Sequence, residues 1–240
     1  MALVGHAYRA RPGSARLVER GDCVATVGDE ALVAALELHD CGVPVVVAPT
    51  RAQAVAHAAL RADIVVVDGV TQTLPRADLA LLAVDAMQPW GAGSVPPSGD
   101  LRAPVEALLS VTDRVVSVGA DENRHGARIA SDGVRVGGTL VRWEQLRGLR
   151  TGLVVAIARP RRLLSMLASK GVSPSVVVRS RDHAAPPADA LRSRPAVDLW
   201  IASRKCALHL PALGTPLGVV DYRLVLGSGV REAILALTTA

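Results

Sequence analysis

The chain has 240 residues, half of them hydrophobic, with 27 basic against 22 acidic side chains and a pI near 9.7. That length and apolar content suffice for a buried core and exclude a disordered chain. Aromatic residues, at 2%, leave packing to Val, Leu, Ala and Ile and provide no rings for stacking bases. No nucleic-acid partner is therefore expected, and the net charge of +5 favours phosphate esters or acidic lipid headgroups.

Cys23, Cys41 and Cys206 form an odd set without a Cys-x-x-Cys pair, so neither a disulfide framework nor a zinc site is expected, and a reducing cytosol fits. No run reaches the roughly 18 apolar residues of a spanning helix, so membrane contact is expected only at the surface.

In chain order, a mixed segment leads to Val27-Gly28-Asp29-Glu30 and then to the apolar helical run Ala31 to Cys41, closed by Gly42 as a left-handed cap. Asp29 fits an N-cap, and Glu30 in the first turn suits the positive end of the helix dipole. A pair of adjacent carboxylates at a helix head also suits an anion or metal site, so both readings stand.

Val43 to Ala48 reads as a buried strand, Ala52 to Ala62 as an alanine-rich helix, and Asp63 to Gly69 and Leu79 to Asp85 as further strands. Such alternation argues for a mainly parallel sheet with helices on both faces. Asp68, at a strand end, is either a turn residue before Gly69 or a group on the ligand-binding edge of such a sheet.

Gly91 to Pro104 is a Gly/Pro-rich loop of the length that tends to be functional or disordered. A helix near Val105 to Val111 and a strand Arg114 to Val118 follow. Ala127 to Val136 then reads as a hairpin turning at Ser131-Asp132-Gly133. That break divides the chain into a core over residues 1–130 and a smaller α/β subdomain over residues 131–240. The second part holds strands at Leu153 to Ala158, Ser175 to Val178, Leu199 to Ala202 and Leu217 to Leu226, and a last helix Val230 to Leu237. Gly227-Ser228-Gly229 before that helix suits an anion at the helix N-terminus but reads first as a plain strand-to-helix turn. The other histidines, His6, His39, His57, His125 and His209, show no metal spacing and receive no role.

Gly28-Asp29-Glu30-Ala31-Leu32, Pro44 to Val47 with Arg51, Val67-Asp68-Gly69 with Asp78-Leu79, and Val95-Pro96-Pro97-Ser98-Gly99-Asp100-Leu101-Arg102-Ala103-Pro104 follow in this order. Ala156-Ile157-Ala158-Arg159-Pro160 and Asp182-His183 come later. Together they resemble the tetraacyldisaccharide 4'-kinase family of lipid A biosynthesis. The resemblance implies a P-loop-kinase-like α/β fold without its first strand–loop–helix unit, with ATP and magnesium as cofactors. It implies transfer of phosphate to the 4' hydroxyl of a lipid A disaccharide precursor by a cytoplasmic enzyme peripheral to the inner membrane, where an anionic surface suits the basic chain.

By that resemblance Asp29 takes the hydroxyl proton, His183 orients it, Glu30 and Asp68 are magnesium ligands, and Arg51 and Arg102 bind substrate phosphate. The family's P-loop falls upstream of Tyr8, and no Gly-x-x-x-x-Gly-Lys-Ser/Thr occurs in the 240 residues, so no cofactor-binding residue is assigned. A full reading frame is expected to encode that motif upstream. Val67, Ala184 and Cys206 stand where the family has polar residues, and these changes support an alternative, a non-catalytic relative acting as a binding or scaffold protein.

Overall fold

A computed structural model describes residues 1–5, 7, 10–69, 76–119, 124–156, 160–181, 186, 189, 191 and 196–238. Its first sheet holds β1 (Ala2–Val4), β2 (Arg16–Leu17), β3 (Val45–Val47) and β4 (Val65–Val67), in the order β2-β3-β1-β4. β1 runs parallel to both β3 and β4, and β2 pairs antiparallel at the edge.

The valine run of β3 works because successive side chains point to opposite faces. Val45 and Val47 join Val27, Ala31 and Leu32 on the side covered by α1 (Val24–Val27) and α2 (Asp29–Leu38). Val46 joins Ala2, Val4, Ala54 and Ala58 on the side covered by α3 (Arg51–Ala59). α3 starts from a capping box, in which the Thr50 hydroxyl accepts from Gln53 N and the Gln53 side chain accepts from Thr50 N.

The second sheet holds β5 (Leu81–Asp85), β6 (Arg114–Val118), β7 (Gly126–Val136), β8 (Thr139–Arg142), β9 (Thr151–Val155), β10 (Val176–Arg179), β11 (Leu199–Ala202) and β12 (Leu217–Leu226). Their order is β10-β9-β11-β12-β7-β6-β5, with β8 on β7. Among the described residues only the β7 pairings with β12 and β8 are antiparallel, so this sheet too is mainly parallel. Further α-helices among the described residues include α4 (Val105–Ser110), α5 (Trp143–Leu146), α6 (Pro160–Ser169), α7 (Arg204–Ala207) and α8 (Ser228–Ala236). Leu153 and Val155 of β9 face a core shared with Trp143, Leu146, Leu163, Leu167 and Ile201, and Val154 faces the other side with Val176, Val178 and Trp200.

The hairpin does not turn at Ser131-Asp132-Gly133. β7 runs without a break across residue 131 and turns at Gly137-Gly138, both with positive φ (56° and 88°), as a tight turn between twisted strands needs. Val134 pairs with Val220 and Ser131 with Tyr222, so Asp132 and Gly133 together oppose the single residue Asp221. The three residues make a bulge. Trp143 Nε1 donates to Ser131 O at 2.9 Å, and a Cβ on Gly133 would lie 2.0 Å from Val141 O, so the segment is fixed between β8 and α5. The two sheets part between β4 and β5.

The loop after β5 is built by its own contacts: Leu101 N donates to Ser94 O at 3.0 Å and Ala92 N to Asp100 Oδ1 at 2.9 Å. Among the described residues no helix is long and apolar enough to cross a membrane.

Gly152 lies under Trp200, whose ring would sit 2.4 Å from an added Cβ. Gly152→Ala is expected to lower the unfolding free energy by about 1–3 kcal/mol, read as a shift in the urea midpoint, because the indole must leave its place.

Candidate active site

Parallel strands bring their carboxyl ends to one edge, where ligands of open α/β sheets bind. At that edge of the first sheet lie Gly5 after β1, Ala48 after β3 and Asp68 after β4, the Asp68 amide donating to Val4 O at 3.1 Å. A cleft of about 390 Å³ opens there, lined by Gly5, Ala7, Arg11, Pro12, Pro49 and Arg51. Gly5 is required for close approach, since its Cβ would fall 2.8 Å from Ala31 Cβ. The head of α2 thereby reaches the same edge as the cleft.

Arg51, the first residue of α3, donates from Nη1 to Asp68 O and, at 3.0 Å, to Gly69 O. Burial holds the Arg51 guanidinium below its ordinary range; Asp68's charge opposes that shift and Arg102's charge adds to it. Arg51, Asp68 and Arg102, assigned separately by resemblance, therefore share one neighbourhood.

Asp29 is not an N-cap. Gly28 takes that place at φ 86°, no side-chain cap bond forms, and Asp29 is the first helical residue, buried at 2% exposure. Its Oδ2 lies 3.2 Å from His209 Nε2, within hydrogen-bond reach. Glu30 Oε1 lies 3.0 Å from Lys205 Nζ, and Glu37 Oε1 lies 2.9 Å from Arg204 Nε. Arg204 also reaches Asp221 Oδ1 at 3.4 Å, which Arg135 Nε meets at 3.0 Å.

α7 is placed to make these contacts by its own sequence. Ser203 caps it by accepting from Cys206 N, and the buried Cys206 sulfur accepts from Ala156 N at 3.1 Å, which secures the helix on the end of β9.

A sequence model described as tetraacyldisaccharide-1-P 4'-kinase matches residues 1–202. The chain belongs to the tetraacyldisaccharide 4'-kinase family. A kinase of that name from Syntrophotalea carbinolica is 31% identical over 90% of this chain and 67% of its own length. Another from Anaeromyxobacter dehalogenans is 30% identical over 98% and 72%. A crystal structure described as the "apo" form of LpxK from Aquifex aeolicus in complex with ATP superimposes with a TM-score of 0.73. It covers 99% of this chain and 78% of that one at 13% identity, and so shares the fold.

Within this family frame His183 lies outside the described residues. The structure supplies another histidine, His209, far along the chain from Asp29 and without any local signal, in the apolar run Leu208-His209-Leu210-Pro211.

Magnesium prefers hard oxygens and keeps several waters. Asp68, exposed beside Arg51 at the end of β4, offers such an oxygen and fits. Glu30 is engaged by an ammonium group and fits only if Lys205 moves away. Among the described residues no three His, Cys, Asp or Glu side chains cluster as a metal site.

Arg51→Ala removes the donor that holds the Asp68 and Gly69 carbonyls. Hydrogen exchange of the Asp68 amide is expected to speed up about tenfold, the scale of one bond to a charged group.

Proposed function

We propose that the chain acts in phosphoryl transfer from ATP to the 4' hydroxyl of a lipid A disaccharide precursor, contributing the acceptor side of the site. The observation that carries this reading is the family match through residues 1–202. The relatives are named as kinases, and nothing comparable supports the scaffold alternative.

In this proposal Asp29 accepts the hydroxyl proton, since a buried and hydrogen-bonded carboxylate can be held in one orientation toward an acceptor. Arg51 and Arg102 bind phosphate oxygens, a task suited to the planar guanidinium fork. Asp68 would hold magnesium, which when bound spreads the charge on the transferred group. His183 by resemblance and His209 by geometry are the two candidates to steer Asp29. The site works at the cytoplasmic face of the inner membrane, where a net charge of +5 favours an anionic surface.

The test is direct. The protein expressed from its full reading frame, with the expected upstream P-loop, and given Mg-ATP and tetraacyldisaccharide 1-phosphate, is expected to yield the 4'-phosphorylated product by mass spectrometry, and isothermal titration is expected to show micromolar Mg-ATP binding. Asp29→Asn is expected to slow transfer by about 10²- to 10⁴-fold, the usual contribution of a positioned base. Absence of both ATP binding and product in the wild-type protein would reject the reading.

A further inference from the structure

Fourteen consecutive residues after β5, Ala86 to Gly99, carry no charge, in a chain of which 20% is Asp, Glu, Lys or Arg. The stretch is nonetheless at the surface. Met87, Pro89, Ala92, Pro96 and Pro97 are exposed, Met87 at 91%, and Trp90 and Val95 are half-buried. Exposed apolar side chains gathered in this way mark a contact surface.

The loop keeps these side chains outward because its backbone is fixed. The amides of Met87, Gly91, Ala92, Gly93, Ser98 and Gly99 all donate within residues 85–100, among them Gly93 N to Trp90 O at 2.7 Å and Met87 N to Asp85 Oδ1 at 3.0 Å. A Cβ on Gly99 would lie 2.0 Å from Ser94 O, so the two limbs of the loop are pressed together. Pro89, Pro96 and Pro97 have no N–H to satisfy. An uncharged loop with most of its donors already bonded loses little on leaving water, which is the condition for entering a lipid headgroup layer.

What adjoins the loop is basic. Asp100 is turned back onto Ala92 N, and Arg102, just beyond it, acts by its charge on Arg51 at the cleft. Apolar tips beside guanidinium groups complement an anionic lipid surface, with Met and Trp in the interface and the charges at the phosphates.

We propose that residues 86–99 form a lipid-contacting loop, Met87 and Trp90 entering the headgroup layer of an anionic membrane and Arg102 meeting its phosphates. β5 runs parallel to β6, so the loop leaves from the carboxyl edge of its sheet, and Arg102 brings it to the cleft. Contact there sets the cleft at the surface in which a lipid acceptor is embedded. The choice of a lipid partner rests on the kinase reading; the exposed, fixed and uncharged loop does not.

The test needs no turnover. Trp143 and Trp200 are buried, so Trp90 emission reports on the loop. When vesicles of phosphatidylethanolamine and phosphatidylglycerol are added to the purified chain of 240 residues, that emission is expected to move to shorter wavelength and to be quenched by lipids brominated in their acyl chains. Met87→Asp is expected to lower the partition coefficient about 10- to 100-fold, the scale of burying one methionine side chain, and Met87→Leu to keep it. Met87 is too exposed for either change to unfold the chain. Leu60→Asp, at an 82% exposed leucine on the end of α3 away from the cleft, is expected to change nothing. Arg102→Gln is expected to cost about fivefold on the phosphatidylglycerol vesicles and nothing on phosphatidylcholine alone.

No partition of the wild-type chain, Trp90 emission unchanged on partition, or equal losses in Met87→Asp and Leu60→Asp would each overturn the proposal. Partition through this loop without phosphoryl transfer by the full-frame protein rejects the kinase reading and supports the lipid contact. Transfer without partition does the reverse.

Discussion

A short basic segment pressed against an acidic helix face joins the two halves of this molecule. Among the described residues the two sheets share no strand pairing, so α2 is set against the second sheet by Leu208, Arg204, Lys205 and His209 rather than by a backbone ladder. The apolar contact supplies attraction without direction, and the charged contacts supply direction at little net gain. Both are needed, because Asp29 sits at the end of the helix that they orient.

The parallel first sheet contributes the other half of the site. Its three parallel strands end at one edge, and Arg51 ties two of the carbonyls there, so the Asp68 turn is held by α3. Arg102's charge acts on Arg51 in the same direction as burial, and Asp68's charge opposes both.

Much of this was legible in the residues. The helix over α2, the valine strands and the alanine-rich α3 follow from apolar period, β-branched runs and alanine content, and each falls within a few residues of its expected place. The family motifs led to Asp29, Arg51, Asp68 and Arg102 as a set. Local rules failed where a distant partner decided the outcome. Asp29 looked like a cap because its neighbours were read alone, whereas Gly28 takes the cap and frees the carboxylate to face inward. Ser131-Asp132-Gly133 has turn chemistry, but β8, α5 and β12 surround it and hold it extended. His209 had no signal because its meaning lies in a contact spanning most of the chain.

The bulge in β7 carries a consequence beyond its own strand. Two residues there stand against Asp221, a buried carboxylate that gathers Arg135 and Arg204, and Arg204 in turn grips Glu37 of α2. One surplus residue in the second sheet thus acts as a ruler for the first. Removing it would leave Val134 opposite Val220 and Ser131 opposite Tyr222 but take the local bend out of β7, and so move the reference point from which α2 is measured.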